Sequence, residues 1–374
     1  MSFLTSFFTI TLLKQVIMWI VGGILIYLAI SKGFEPALLL PIGFGAILVN
    51  IPMSGAVDQV IHGTRIEGII DLLFRSGIST ELFPLLLFIG IGAMIDFGPL
   101  LSNPSMLFFG AAAQFGIFFT ICAAVLLGFN LKDAASIGII GAADGPTSIF
   151  VANYFKSSLL APITVAAYSY MSLVPVIQPF AIRLVTTKKE RMIRMPYKAE
   201  NVSKRTRILF PIIVTIIAGL IAPTSVALIG FLMFGNLIRE CGVLDRLSNC
   251  AQNELVNIIT LLLGITIASS MKAESFVTVQ SALVIGLGLV AFIFDTVGGV
   301  LFAKFLNLFL KNKINPMIGA AGISAFPMSA RVIQKMAQKE DNQNFILMHA
   351  VGANVAGQIA SVIAGGLILS LIKL

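Results

Sequence analysis

Apolar runs of about 17–25 residues, the length a helix needs to cross a bilayer, recur along the whole chain. They predict spans near 15–31, 36–52, 83–97, 105–128 and 158–182, then near 208–222, 224–239, 255–270, 281–303 and 345–372. Two glycine-rich stretches interrupt this pattern and look like copies of one another. The first is Gly141-Ala142-Ala143-Asp144-Gly145-Pro146-Thr147-Ser148, the second Gly319-Ala320-Ala321-Gly322-Ile323-Ser324-Ala325-Phe326-Pro327. Each puts helix breakers and polar groups at a depth where backbone is tolerated only if buried in protein or lining a wet cavity. Paired breaks in two halves of a chain point to an ion or substrate site. The pattern predicts an all-α polytopic membrane protein that moves an ion.

Composition agrees. The 374 residues are 57% hydrophobic and 11% charged, with mean hydropathy +0.99, against about 25% charged residues in ordinary soluble chains. The first apolar segment follows Lys14 without a small-residue cleavage site and reads as a retained span. Cys122, Cys241 and Cys250 have neither metal nor disulfide spacing and read as packing residues. His62, in a long loop 53–82, and His349, at a helix start, have no metal-ligand company. The net charge of +8 does not point to nucleic acid, because the basic residues cluster in loops.

That clustering sets an orientation. Arg183, Lys188, Lys189, Arg191, Arg194, Lys198, Lys204, Arg205 and Arg207 face only Glu190 and Glu200 between 183 and 207, the excess expected of a cytoplasmic loop. Lys304, Lys311, Lys313, Arg331, Lys335 and Lys339 surround the second break. Both groups fall on one side if each break belongs to a re-entrant hairpin. Hairpin 131–157 then opens outside and hairpin 312–340 to the cytoplasm, with the amino terminus external. Ile42-Gly43-Phe44 with Asn50 matches Ile229-Gly230-Phe231 with Asn236, and Gly90-Ile91-Gly92 matches Gly264-Ile265-Thr266, in the same order. The expected organisation is repeat 1 over 1–182, a basic linker over 183–207 and repeat 2 over 208–374. Each repeat holds five spans and a hairpin, and the odd number inverts the second copy.

Asp144 is an acid in apolar surroundings beside a Gly-Pro break, with Thr147 and Ser148 close in sequence. Such a carboxylate reads either as a cation ligand or as a helix cap. Asn315, before Pro316, reads as an N-cap or a second oxygen ligand, and Ser324 lies in the second break itself. Arg331 is an anchor at the cytoplasmic mouth or a bidentate grip on a carboxylate. Tyr168 and Tyr170 precede Pro175 and Pro179 and form a polar seam or simple packing. Asp96, near a helix end, and Asp295, within a span, rank below Asp144. Ala353, Gly357, Ser361 and Gly365 recur every four residues as a close-packing stripe, and Asn354 on the same helix either reaches the site or packs, with packing the favoured reading.

Several longer stretches resemble one family. They are Gly33-Phe34-Glu35-Pro36, Leu40-Pro41-Ile42-Gly43-Phe44-Gly45, Gly141 through Thr147, Ala166-Ala167-Tyr168-Ser169-Tyr170, Pro175-Val176-Ile177-Gln178-Pro179, Asn315-Pro316 through Ser324, and Gly352-Ala353-Asn354-Val355-Ala356-Gly357. Together they resemble the membrane β subunit of the biotin-dependent sodium-pumping decarboxylases, which act on oxaloacetate, methylmalonyl-CoA or glutaconyl-CoA. One departure is Gly-Ala at 141–142 where the resemblance leads to Gly-Gly.

The resemblance implies that a carboxyltransferase loads biotin on a carrier subunit. Carboxybiotin then visits this chain, which decarboxylates it, consumes a proton and drives sodium outward across a bacterial inner membrane. It implies that Asp144, Asn315 and Ser324 hold sodium, that Gly319 permits close backbone approach, that Tyr170 joins the sodium or proton path, and that Arg331 holds carboxybiotin. Further implied are a small γ-type membrane subunit, contact with lipid and a homo-oligomer within the complex. Met271-Lys272-Ala273 is not a biotin attachment site, so biotin arrives on a partner. A sodium-coupled carboxylate symporter and a structural anchor for a soluble decarboxylase are the other classes the pattern allows.

Overall fold

The computed structural model describes residues 10–33, 36–61, 64–196 and 202–372. Phe34-Glu35 of the first matched stretch, His62, and Lys198 and Glu200 of the linker lie outside the described residues. Helix α1 (Ile10–Lys32) packs on α2 (Pro36–Val49). The segment expected as a loop over 53–82 is instead structured over much of its described part. Strands β1 (Gln59–Ile61) and β2 (Thr64–Ile66) form an antiparallel ribbon, the one departure from all-α structure among the described residues. Helix α3 (Ile69–Leu73) follows, and a π-helical turn over Phe74–Ile78 leads into α4 (Leu82–Met94) across a 60° bend.

Charge explains this correction, because apolar periodicity is blind to it. Asp58 accepts from Arg65 at 2.6 Å, from Arg75 at 2.7 Å and from the Gly68 amide at 2.9 Å. These partners hold its carboxyl well below the usual carboxylate range.

Helices α5 (Leu107–Ala113) and α6 (Phe115–Leu126) make one crossing interrupted at Gln114. The first break lies between α7 (Leu131–Gly138) and α8 (Gly145–Tyr154), and Asn130 caps α7 by accepting from the Asp133 amide at 2.9 Å. Then come α9 (Leu160–Val185), α10 (Lys204–Ile221), α11 (Val226–Glu240), α12 (Val256–Ile267) and α13 (Val279–Phe309). The second break separates α14 (Met317–Ala320) from α15 (Met328–Glu340), and α16 (Leu347–Leu371) ends the fold.

Among the described residues six helices are long and apolar enough to cross a membrane, or seven with the bent pair ending at Met94. Three predicted spans fall short of that test. Helix α2 has 14 residues and α11 has 15, while α10 opens on Lys204, Arg205 and Arg207.

The halves interlock. Helix α4 packs on α11, and α12 packs on α2. A Cβ on Gly92 would stand 1.8 Å from the Leu232 carbonyl oxygen, and one on Gly235 would stand 2.0 Å from that of Ile89. Asn50 donates to the carbonyls of Ala46 and Met271, each at 2.8 Å. Asn236 donates to that of Ile95 at 3.1 Å. Each asparagine of the matched pair therefore ties down the far end of a helix from the other half.

The ends of each interrupted segment also meet. Ser157 Oγ donates to Asp133 across the start and finish of the first. For the second, Asn315 donates to the Arg191 and Ile193 carbonyls at 2.9 Å each, and Asn344 donates to the same two at 3.2 and 3.3 Å. Arg191 pairs with Glu340 at 2.9 Å, Arg194 with Asp341 at 2.6 Å and Lys304 with Glu190 at 3.0 Å. Arg194 holds the Asp341 carboxyl below its ordinary value. The basic linker is thus a strap across both ends of the second segment.

Candidate functional site at the two breaks

The chain leaves α7 through a tight turn over Ile139–Ala142, and Ala143 then adopts left-handed backbone at φ 53°. For a residue with a Cβ that conformation costs about 1–2 kcal/mol. It turns Asp144 into extended backbone at φ −124°, ψ 95°, at the head of α8. Asp144 occupies the capping position, yet its side chain makes no cap bond. Its Oδ2 instead accepts from Thr147 Oγ1 at 2.7 Å, Ser361 Oγ at 3.1 Å and Gln358 Nε2 at 3.3 Å. The residue is 3% exposed. Among the described residues no ion pair reaches it.

The second break is held against the first. Ser324 donates to the Ala142 carbonyl through both Oγ, at 2.6 Å, and its own amide, at 3.0 Å. The unwound carbonyls beside it are met by amides from surrounding helices. Gln178 donates to Ala320 at 2.8 Å, and Asn354 donates to Ala321 at 3.2 Å and Ile323 at 2.7 Å. Glycines permit this convergence. A Cβ on Gly319 would stand 1.9 Å from the Gly299 carbonyl oxygen, and one on Gly357 would stand 2.1 Å from that of Gly322.

Asp144 and Ser324 therefore come together, while the other expected site residues occupy distinct positions. Asn315 is committed to the strap, and its Oδ1 accepts from the Met317 amide at 3.1 Å, so none of these bonds reaches the Asp144 cluster. Tyr168, not Tyr170, faces Asp144: a Cβ on Gly145 would stand 2.4 Å from the Tyr168 ring, and the Tyr168 hydroxyl is buried without a partner. Tyr170 donates instead to the Ile285 carbonyl on α13. Arg331 lies one turn into α15, exposed, and among the described residues no ion pair holds it. Asp96 accepts from the Gly98 amide at 2.8 Å near Arg207.

Sequence reasoning missed Gln358 and Ser361 as partners of Asp144, and it favoured packing for Asn354 over the alternative that it reaches the site, where its amide meets the second break. The available signal was each isolated polar side chain, amide or hydroxyl, in an otherwise apolar helix, since such a group needs a buried partner. The cluster offers one carboxylate, hydroxyls and amide oxygens. That is a donor set for a hard cation, and a single carboxylate charge is balanced by a single positive one.

Residues 14–372 match the family described as the Na+-transporting oxaloacetate decarboxylase beta subunit. The chain is 51% identical to the glutaconyl-CoA decarboxylase subunit beta of Acidaminococcus fermentans, covering 95% of this chain and 92% of that protein. It is 49% identical to the methylmalonyl-CoA decarboxylase subunit beta of Propionigenium modestum, covering 96% and 94%. Against the oxaloacetate decarboxylase beta chain of Haemophilus ducreyi the identity is 44%, over 96% and 95%.

Proposed function

This chain belongs to the Na+-transporting oxaloacetate decarboxylase beta subunit family, and we propose that it is the membrane subunit of a sodium-translocating, biotin-dependent decarboxylase. It removes the carboxyl group from carboxybiotin delivered by a partner, consumes a proton and moves sodium outward. The observation that carries this reading is the Asp144 carboxylate, buried in the first break with neutral donors alone among the described residues. Sodium and a proton compete for the same oxygen, so protonation releases sodium. The relatives' names carry decarboxylation, and none carries symport.

In this reading Ser324 and Asp144 face the ion, Gly319 sets the approach of the second break, and Asn315 positions that break through the strap. Tyr170 ties α9 to α13 along the ion path, and the unpaired Arg331 receives the biotin-borne carboxylate at the cytoplasmic face. Carboxyltransferase and biotin-carrier subunits, a small γ-type membrane subunit and further copies of this chain complete the complex in a bacterial inner membrane. The interlocked halves and the meeting ends support two inverted repeats, each with a re-entrant hairpin.

The test is reconstitution with the partner subunits in sealed vesicles. Substrate-driven sodium accumulation is expected, and turnover independent of sodium would sink the reading.

A further inference from the structure

Asp295 stands outside the arrangement just described. It lies midway along α13, a helix of 31 residues running from Val279 to Phe309. At 1.5 Å per residue it is about 24 Å from one end and about 21 Å from the other. Its side chain is fully buried. Oδ1 accepts from the Ile117 amide on α6 at 3.1 Å, and among the described residues Oδ2 has no hydrogen-bond partner. Among the described residues no Lys, Arg or His pairs with it.

Two glycines show where this carboxyl points. A Cβ on Gly116 would stand 2.5 Å from Oδ1, and a Cβ on Gly141 would stand 2.6 Å from Oδ2. The unpartnered oxygen is therefore aimed at the residue that opens the first break, three positions before Asp144. Two further oxygens nearby in sequence are buried and unpaired: Thr296 Oγ1, next along α13, and Thr120 Oγ1, one turn beyond Gly116.

A buried carboxylate without a counter-charge costs several kcal/mol at bilayer depth. A residue needed for packing alone would be small and apolar at such a site. The uncompensated charge and the open oxygen ask for a cation.

We propose that Asp295 Oδ2 ligates a second monovalent cation, sodium, where α13 meets the start of the first break. The proposal extends the ion-carrier reading but does not require Asp144 to be a ligand. Sodium binding to the purified full chain, in detergent and sodium-free choline buffer, tests it. Calorimetry and the sodium-induced rise in melting temperature are read on the wild type, Asp144→Asn, Asp295→Asn and the double variant.

The expected result is one binding event lost in each single variant and both lost in the double variant, with an unchanged sodium-free melting temperature. Full sodium stoichiometry in Asp295→Asn overturns the proposal. Loss confined to Asp295→Asn, with Asp144→Asn normal, overturns the Asp144 assignment instead. A measurement without substitution guards against a variant that fails to fold. Dicyclohexylcarbodiimide, which attacks buried protonated carboxyls, is applied to the wild type and its adducts are mapped by mass spectrometry. An adduct at Asp295 that sodium suppresses supports the site. No adduct there, or one indifferent to sodium, overturns it.

Discussion

At Asp144 three neutral donors converge on one carboxylate oxygen, and among the described residues no cationic side chain balances the charge. Asparagine there keeps the size and removes the charge that offsets sodium dehydration. Asp144→Asn should abolish sodium uptake and decarboxylation while the protein still folds and assembles, and near-normal sodium-dependent turnover would refute the assignment. Ser324 and Asn315 now separate. Ser324→Ala removes the hydroxyl that reaches Ala142 beside Asp144, and the sodium needed for half-maximal activity should rise about tenfold, the effect of about 1.4 kcal/mol. Asn315→Ala removes two of the four amide bonds to the strap carbonyls, leaving only the longer pair from Asn344, and should lower stability by about 1–3 kcal/mol, read as a lower melting temperature at saturating sodium. Arg331 makes no ion pair among the described residues and is proposed to receive the biotin-borne carboxylate, so Arg331→Ala should abolish decarboxylation and leave sodium binding intact by calorimetry. Lysine lacks the planar fork and should rescue poorly, whereas full rescue would reduce Arg331 to a topological anchor.

Helix breaks are where glycine becomes a structural requirement. A Cβ on Gly319 would collide with backbone, the Gly299 carbonyl, and backbone cannot rotate away as a side chain can. Gly319→Ala should destabilise the protein by about 1–3 kcal/mol, measured by thermal unfolding in detergent, and an unchanged melting temperature would show that α13 and α14 separate freely. The location of both breaks was legible in the sequence because glycine, proline and polar residues interrupt long apolar runs. Their partners were not. The stripe at Ala353, Gly357, Ser361 and Gly365 announces close approach without saying which neighbour approaches. Only the fold shows that it brings Ser361 to Asp144 and Gly357 to Gly322. Left-handed Ala143 was equally silent, since alanine gives no sign of positive φ. The ribbon of β1 and β2 and the strap over 186–196 depend on ion pairs between distant residues, Arg75 with Asp58 and Arg194 with Asp341, which no local period encodes.

Across the molecule, the two asparagines at matched positions each reach a helix end in the other half, as the proposed two-fold relation between repeats would have them do. The same relation makes a prediction about sidedness. Ser157 closes the first interrupted segment on Asp133, and the strap closes the second on Asn315 and Asn344. If the second repeat is inverted, these two closures face opposite sides of the membrane, with the basic linker marking the cytoplasmic one. Ser158 and Lys339 are exposed beside the respective closures, so each is a fair reporter. In a chain first cleared of Cys122, Cys241 and Cys250, the Ser158→Cys variant should react with an impermeant maleimide in whole cells. The Lys339→Cys variant should react only in inside-out vesicles. Reaction of both from one side would remove the inversion. It would also place the two breaks on a common entrance, and an ion could then bind between them without being carried across.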